Sequence, residues 1–118
     1  MMVDPEIRKQ IIDAYKKRSR TDTGGVYLIQ NTQNGKILVE IASDIEAAKN
    51  RFSFSQKTGS CVNLKLNRDW TLFGPDAFVF EVAETLDKSE TQSPMEFRQD
   101  LNVLKKMWME KYEPGSLY

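Results

Sequence analysis

The chain runs to 118 residues, 40% hydrophobic and 29% charged, enough for one domain with a modest core and too short for two ordinary ones. Its 17 Lys plus Arg balance 17 Asp plus Glu, and the zero net charge lends no support to a dedicated nucleic-acid binder, which ordinarily carries a basic excess. The lack of histidine excludes Ser-His-Asp and Cys-His catalysis and imidazole zinc sites, and the lone Cys61 excludes an intrachain disulfide or a thiolate metal cluster.

In chain order, Asp4-Pro5-Glu6 reads as an N-cap with proline at the first helical position. Ile7, Ile11, Ile12 and Tyr15 then recur at helical spacing, which predicts an amphipathic helix over about 5–18. Lys16, Lys17, Arg18 and Arg20 cluster at its end, and they fit either cations solvated near a helix C-terminus or a patch contacting nucleic-acid phosphates, for which Arg51 is a further candidate. Charges from Asp4 onward leave no signal peptide, and no stretch approaches the roughly 20 apolar residues of a membrane helix. The expectation is a cytoplasmic protein with no membrane partner.

Val26-Tyr27-Leu28-Ile29 and Ile37-Leu38-Val39 flank Asn34-Gly35, a strong hairpin signal, with strands expected over about 25–31 and 36–41. Ser43-Asp44-Ile45-Glu46 fits a capping box before a helix whose Ile45, Ala48 and Phe52 share one face and which Gly59 would close. Leu66, Trp70 and Phe73 suggest a short helix ended by Gly74-Pro75. Phe78, Phe80 and Val82 then alternate with Val79 and Glu81 as in a half-buried strand. Ser93-Pro94-Met95-Glu96 opens a last capped helix carrying Phe97, Leu101, Leu104, Trp108 and Tyr112, with Pro114 as its stop. The order α, β, β, α, α, β, α predicts an α+β fold, a small three-stranded antiparallel sheet flanked by helices, with an extra N-terminal helix. The reading is a single domain over 1–118, with a helical extension over 1–23 and a core over 24–114.

Gly25-Val26-Tyr27, Asn34-Gly35-Lys36, "LKLNRDWTLFGPDAFVFEV" (64–82) and "LKKMWMEKYEP" (104–114) together resemble, in order and spacing, the GIY-YIG nuclease family. The resemblance implies DNA phosphodiester hydrolysis by a tyrosine pair near the attacking water, a helix arginine and a glutamate that holds a divalent cation. Nucleophile activation and relief of charge on the phosphate oxygens explain those types. Carried over, the first tyrosine is Tyr27, but the second falls on Leu38, which has no proton to exchange. The strand glycine falls on Glu40, whose carboxylate at roughly 4 to 5 Å from a phosphate would cost on the order of 1 kcal/mol in water and more at a partly buried site. The arginine falls on Ala48, a frequent histidine on Phe52, and the metal-binding glutamate on Lys105, whose ammonium cannot hold Mg²⁺.

A divergent, degenerate member of that family is therefore expected: a catalytically inactive nuclease-like domain acting as a binding or interaction module for nucleic acid or protein, without a cofactor. One alternative is a divergent endonuclease dependent on Mg²⁺ or Mn²⁺, rebuilt on Arg51 with Glu96 or Glu110 as metal ligands. The other is a protein-protein adaptor with no nucleic-acid role. Tyr27 itself reads first as a strand tyrosine that fills the core with its hydroxyl at the edge. Two charged replacements carry a sharper expectation: if Glu40 and Lys105 both point into the vestigial pocket, they pair with each other.

Overall fold

Strand β1 (Thr23–Asn31) is the middle of a three-stranded sheet, with β2 (Ile37–Ala42) on one side and β3 (Phe78–Asp87) on the other, both antiparallel to it. A central strand is covered on both faces, which is why Val26 to Ile29 is an unbroken apolar run where an outer strand would alternate. The computed structural model describes residues 23–118; the helix expected over about 5–18, with Lys16, Lys17, Arg18 and Arg20, lies outside the described residues.

Between β1 and β2 the chain reverses on Gly35, whose φ of +76° suits glycine and whose N–H donates to Asn31 O at 2.8 Å. The Asn34 side chain accepts the Lys36 N–H at 2.9 Å and fixes the turn. Gly25 answers to a different constraint. A Cβ there would run into the backbone carbonyl of Glu84 on β3, so the strands can close only around a bare backbone.

Helix α1 spans Ile45–Thr58 and is capped by Asp44, whose carboxylate accepts the Ala47 N–H at 3.0 Å, so the expected capping box at Ser43 and Glu46 is replaced by a cap one residue later. Gly59, at φ +80°, ends it as expected. A short helix α2 (Asn67–Phe73) follows, and its Trp70 donates to Gly59 O at 3.0 Å, tying α2 to the end of α1. Helix α3 (Pro94–Met109) opens with the expected capping box between Ser93 and Glu96 but stops before the turn at Glu110, well short of Pro114.

The sheet carries a core on each face. On one side Ile29, Leu38 and Phe78 pack with Phe52 of α1 and Trp70 of α2; on the other Val26, Leu28 and Val39 meet Leu104 and Trp108 of α3. A bulge on β3 opposite Val26 and Tyr27 reverses its alternation, since Tyr27 faces Val82 while Val26 faces Glu84. Phe78 and Phe80 lie inward as expected, but Val82 on this outer strand is 40% exposed, and beyond the bulge Glu84 turns to α3 and accepts Trp108 Nε1–H at 3.0 Å. Among the described residues no helix is long and apolar enough to cross a membrane.

Candidate functional site

Tyr27 stands on β1 with Glu40 as its cross-strand partner on β2, which sets both side chains on one face of the sheet. Its ring stacks on Phe80 with centroids 4.9 Å apart, and Phe80 in turn lies 5.5 Å from the Phe52 ring. The aromatic body of Tyr27 is thus core packing. Its hydroxyl has no hydrogen-bond partner among the described residues and reaches solvent, since none of their buried side-chain oxygens is left unsatisfied. Burial raises the pKa of that hydroxyl above 10.0, the Glu40 charge raises it further, and the Arg51 guanidinium pulls the other way.

Glu40 does not stand alone on this face. Lys105 Nζ from α3 lies 3.0 Å from Glu40 Oε1, the single ion pair among the described residues, and the same oxygen accepts the Ile41 N–H at 3.2 Å. Both side chains are only about a fifth exposed, at 22% and 23%. The two charges therefore neutralise each other in a partly dry setting, where the attraction exceeds that of a solvent-washed pair.

The other replaced positions have gone into the core. Leu38 is 1% exposed in the same apolar cluster as Phe52, which meets the Trp70 ring edge-on at 6.2 Å, and Ala48 is buried on the same face of α1. An arginine or tyrosine at these points would have to displace packed apolar groups.

The two candidate metal ligands stand apart, at opposite ends of α3. The Glu96 carboxylate accepts the Ser93 N–H at 3.4 Å within the α3 capping box, and Glu110 is exposed at the C-cap of that helix. Among the described residues no group of three or more His, Cys, Asp or Glu is placed to hold an ion. Arg51 is exposed on α1, within electrostatic reach of Tyr27.

Two features were not anticipated. Arg98 of α3 faces the same recess as Arg51, and its spacing from Leu101 and Lys105 was the available signal, because positions i, i+3 and i+7 share a helix face. Tyr118 Oη donates to Asp69 Oδ2 at 2.7 Å and accepts from Asn31 Nδ2 at 3.0 Å, a contact between distant segments with no local signature.

The sheet order, the helices on its two faces and the place of Tyr27 on the central strand define a GIY-YIG nuclease-like α+β fold. The catalytic domain of the intron endonuclease I-TevI, in a mutant form, matches with a TM-score of 0.55 and 22% sequence identity, covering 75% of this chain and 82% of that one. Another structure, the catalytic domain of the homing endonuclease I-TevI, gives 0.48 and 24% over 75% and 86%. At such identity the likeness is one of fold. No protein-family model matches the chain, and the search of curated proteins finds no match.

Proposed function

We propose that this domain keeps the nuclease-like fold without the hydrolytic chemistry and acts as a binding module in the cytoplasm, with nucleic acid as the leading candidate partner. The observation that carries the reading is the Glu40–Lys105 ion pair at 3.0 Å. It sets a neutralised carboxylate–ammonium pair on the Tyr27 face, offering a phosphate no net positive charge, and puts the ammonium where the resemblance calls for a metal-binding carboxylate. Leu38, Ala48 and Phe52 support it from the core, since none can exchange a proton or stabilise an oxyanion. A charge-stabilising donor contributes about 10²- to 10³-fold and general acid-base help about 10²- to 10⁴-fold, so their combined loss leaves Tyr27 with nothing to act through.

The test is incubation of the purified protein with supercoiled plasmid in Mg²⁺ or Mn²⁺, with Tyr27→Phe run in parallel. No nicking by either protein is expected. Cleavage by the parent chain that disappears in Tyr27→Phe would establish an active endonuclease instead. Gel shifts over a salt series on duplex and single-stranded DNA decide between the partner classes, because phosphate contacts weaken steeply as salt rises. No shift even at low salt would point to a protein partner.

A further inference from the structure

Between the end of β2, the start of α1 and the first half of α3 lies a recess of about 180 Å³. Arg51 enters its wall from α1 and Arg98 from α3, over apolar surface from Ile41 and Leu101. Neither arginine forms an ion pair among the described residues, although the chain has as many acidic as basic side chains. Two like charges that line one recess repel, and an anion seated between them would remove that cost. Asp44 also lines the recess, but its carboxylate is engaged in capping α1 through the Ala47 N–H. The three side chains still sum to one positive charge. Lys105, further along the same face of α3, adds nothing to it because Glu40 neutralises it.

Size narrows the ligand. At about 180 Å³ the recess has room for one tetrahedral oxyanion between the two arginines. Guanidinium is the side chain best matched to phosphate, since its planar fork donates two parallel N–H bonds to two oxygens.

We propose that this recess is a phosphate-binding site in which Arg51 and Arg98 grip a single phosphate group. Neither residue stands at the position where the family's arginine falls, Ala48, although the recess adjoins the vestigial catalytic set, with Arg51 within electrostatic reach of Tyr27. The proposal deepens the binding role above and rests on it, but not on the loss of catalysis. A nucleic acid would present one phosphate here, such as a strand end; free phosphate carries the same chemistry.

Calorimetric titration of the full chain in metal-free buffer tests it with three probes: inorganic phosphate, a short oligonucleotide with a terminal phosphate, and the same oligonucleotide without one. The phosphorylated strand is expected to bind at least tenfold more tightly than its unphosphorylated twin. Arg51→Gln and Arg98→Gln should each weaken that binding about tenfold or more, with Arg→Lys recovering part of it. If inorganic phosphate binds with the same dependence on both arginines while the terminal phosphate adds nothing, the site stands and its ligand is the free anion. Absence of binding by all three probes, or binding unchanged in both glutamine variants, overturns the proposal. Both arginines are exposed, so the variants should fold, which a thermal melt checks. Plasmid nicking would sink the inactive reading without touching this one, and a failed titration would do the reverse.

Discussion

Lys105 Nζ sits 3.0 Å from Glu40 Oε1, joining helix α3 to strand β2 across 65 positions of sequence. With both side chains about four-fifths covered, the pair lies between a surface contact, worth under about 1 kcal/mol, and a buried one whose rupture costs several. A double-mutant cycle on Glu40→Gln and Lys105→Met should therefore give a coupling of about 1 kcal/mol in urea denaturation, falling as salt is added. A coupling indistinguishable from zero at low salt would mean that the contact has no energetic weight.

Glu40 of this pair also bears on the titration of Tyr27. Burial is the largest reason its pKa is raised, Glu40 comes next, and Arg51 acts against both. Glu40→Gln should lower the Tyr27 pKa and Arg51→Gln should raise it, read from tyrosinate absorbance or from the tyrosine ring carbon in NMR. The sign for stability follows from linkage: the folded state holds the proton more tightly than the unfolded chain. The contribution is complete below the unfolded value near 10 and is lost as pH rises through the folded one. Tyr118 is shifted the same way, by burial first and then by Asp69, so alkaline unfolding should begin above pH 10 with two tyrosines involved. A melting temperature flat across that range contradicts both shifts.

Restoring the family residues should not restore the reaction. Leu38 is 1% exposed beneath α1 and Ala48 is 4% exposed on it, so Leu38→Tyr overfills a packed core at about 1–3 kcal/mol, and Ala48→Arg buries a charge with no carboxylate waiting for it. Each variant should lower the denaturation midpoint and neither should nick plasmid in Mg²⁺. Cleavage by the double variant would show that chemistry was blocked at these two positions alone.

How far all this was legible depends on the range of the interaction. The hairpin, the Gly59 stop, the Ser93 capping box and the apolar faces of α1 and α3 are set by neighbours within a few residues, and the sequence carries them openly. Ser43 and Asp44 are both good caps by residue type, and it is Asp44 whose carboxylate accepts the Ala47 N–H, at 3.0 Å. The bulge that turns Glu84 toward α3 arises from pairing with Val26 and Tyr27, more than fifty residues earlier, and has no marker on β3 itself. The Glu40–Lys105 contact was reachable because family positions supplied a map that periodicity does not. Arg98 lacked such a map.

The Tyr118 network shows the same limit and offers a sharp test. Leu117 bridges Ile37 in parallel, Tyr118 N–H donates to Ile37 O at 3.0 Å, and the Tyr118 hydroxyl then reaches Asn31 on β1 and Asp69 on α2. Asn31 is fully buried, and its amide nitrogen has this hydroxyl as its partner. Tyr118→Phe keeps the ring and deletes the oxygen, leaving a buried donor unsatisfied, which should cost about 1–3 kcal/mol of stability in urea. The variant has a second signature in acid. The Tyr118 hydrogen bond is the largest cause holding the Asp69 carboxyl below 3.8, with Asn34 and the charges of Lys36 and Arg68 helping. A depressed carboxyl stabilises the fold above its unfolded value and ceases to as pH falls through the folded one, so removing the hydroxyl should flatten that acid limb. Loss of stability at neutral pH with the acid limb unchanged would place the effect on Asn31 alone; an unchanged midpoint at neutral pH would mean that water replaces the hydroxyl at no cost.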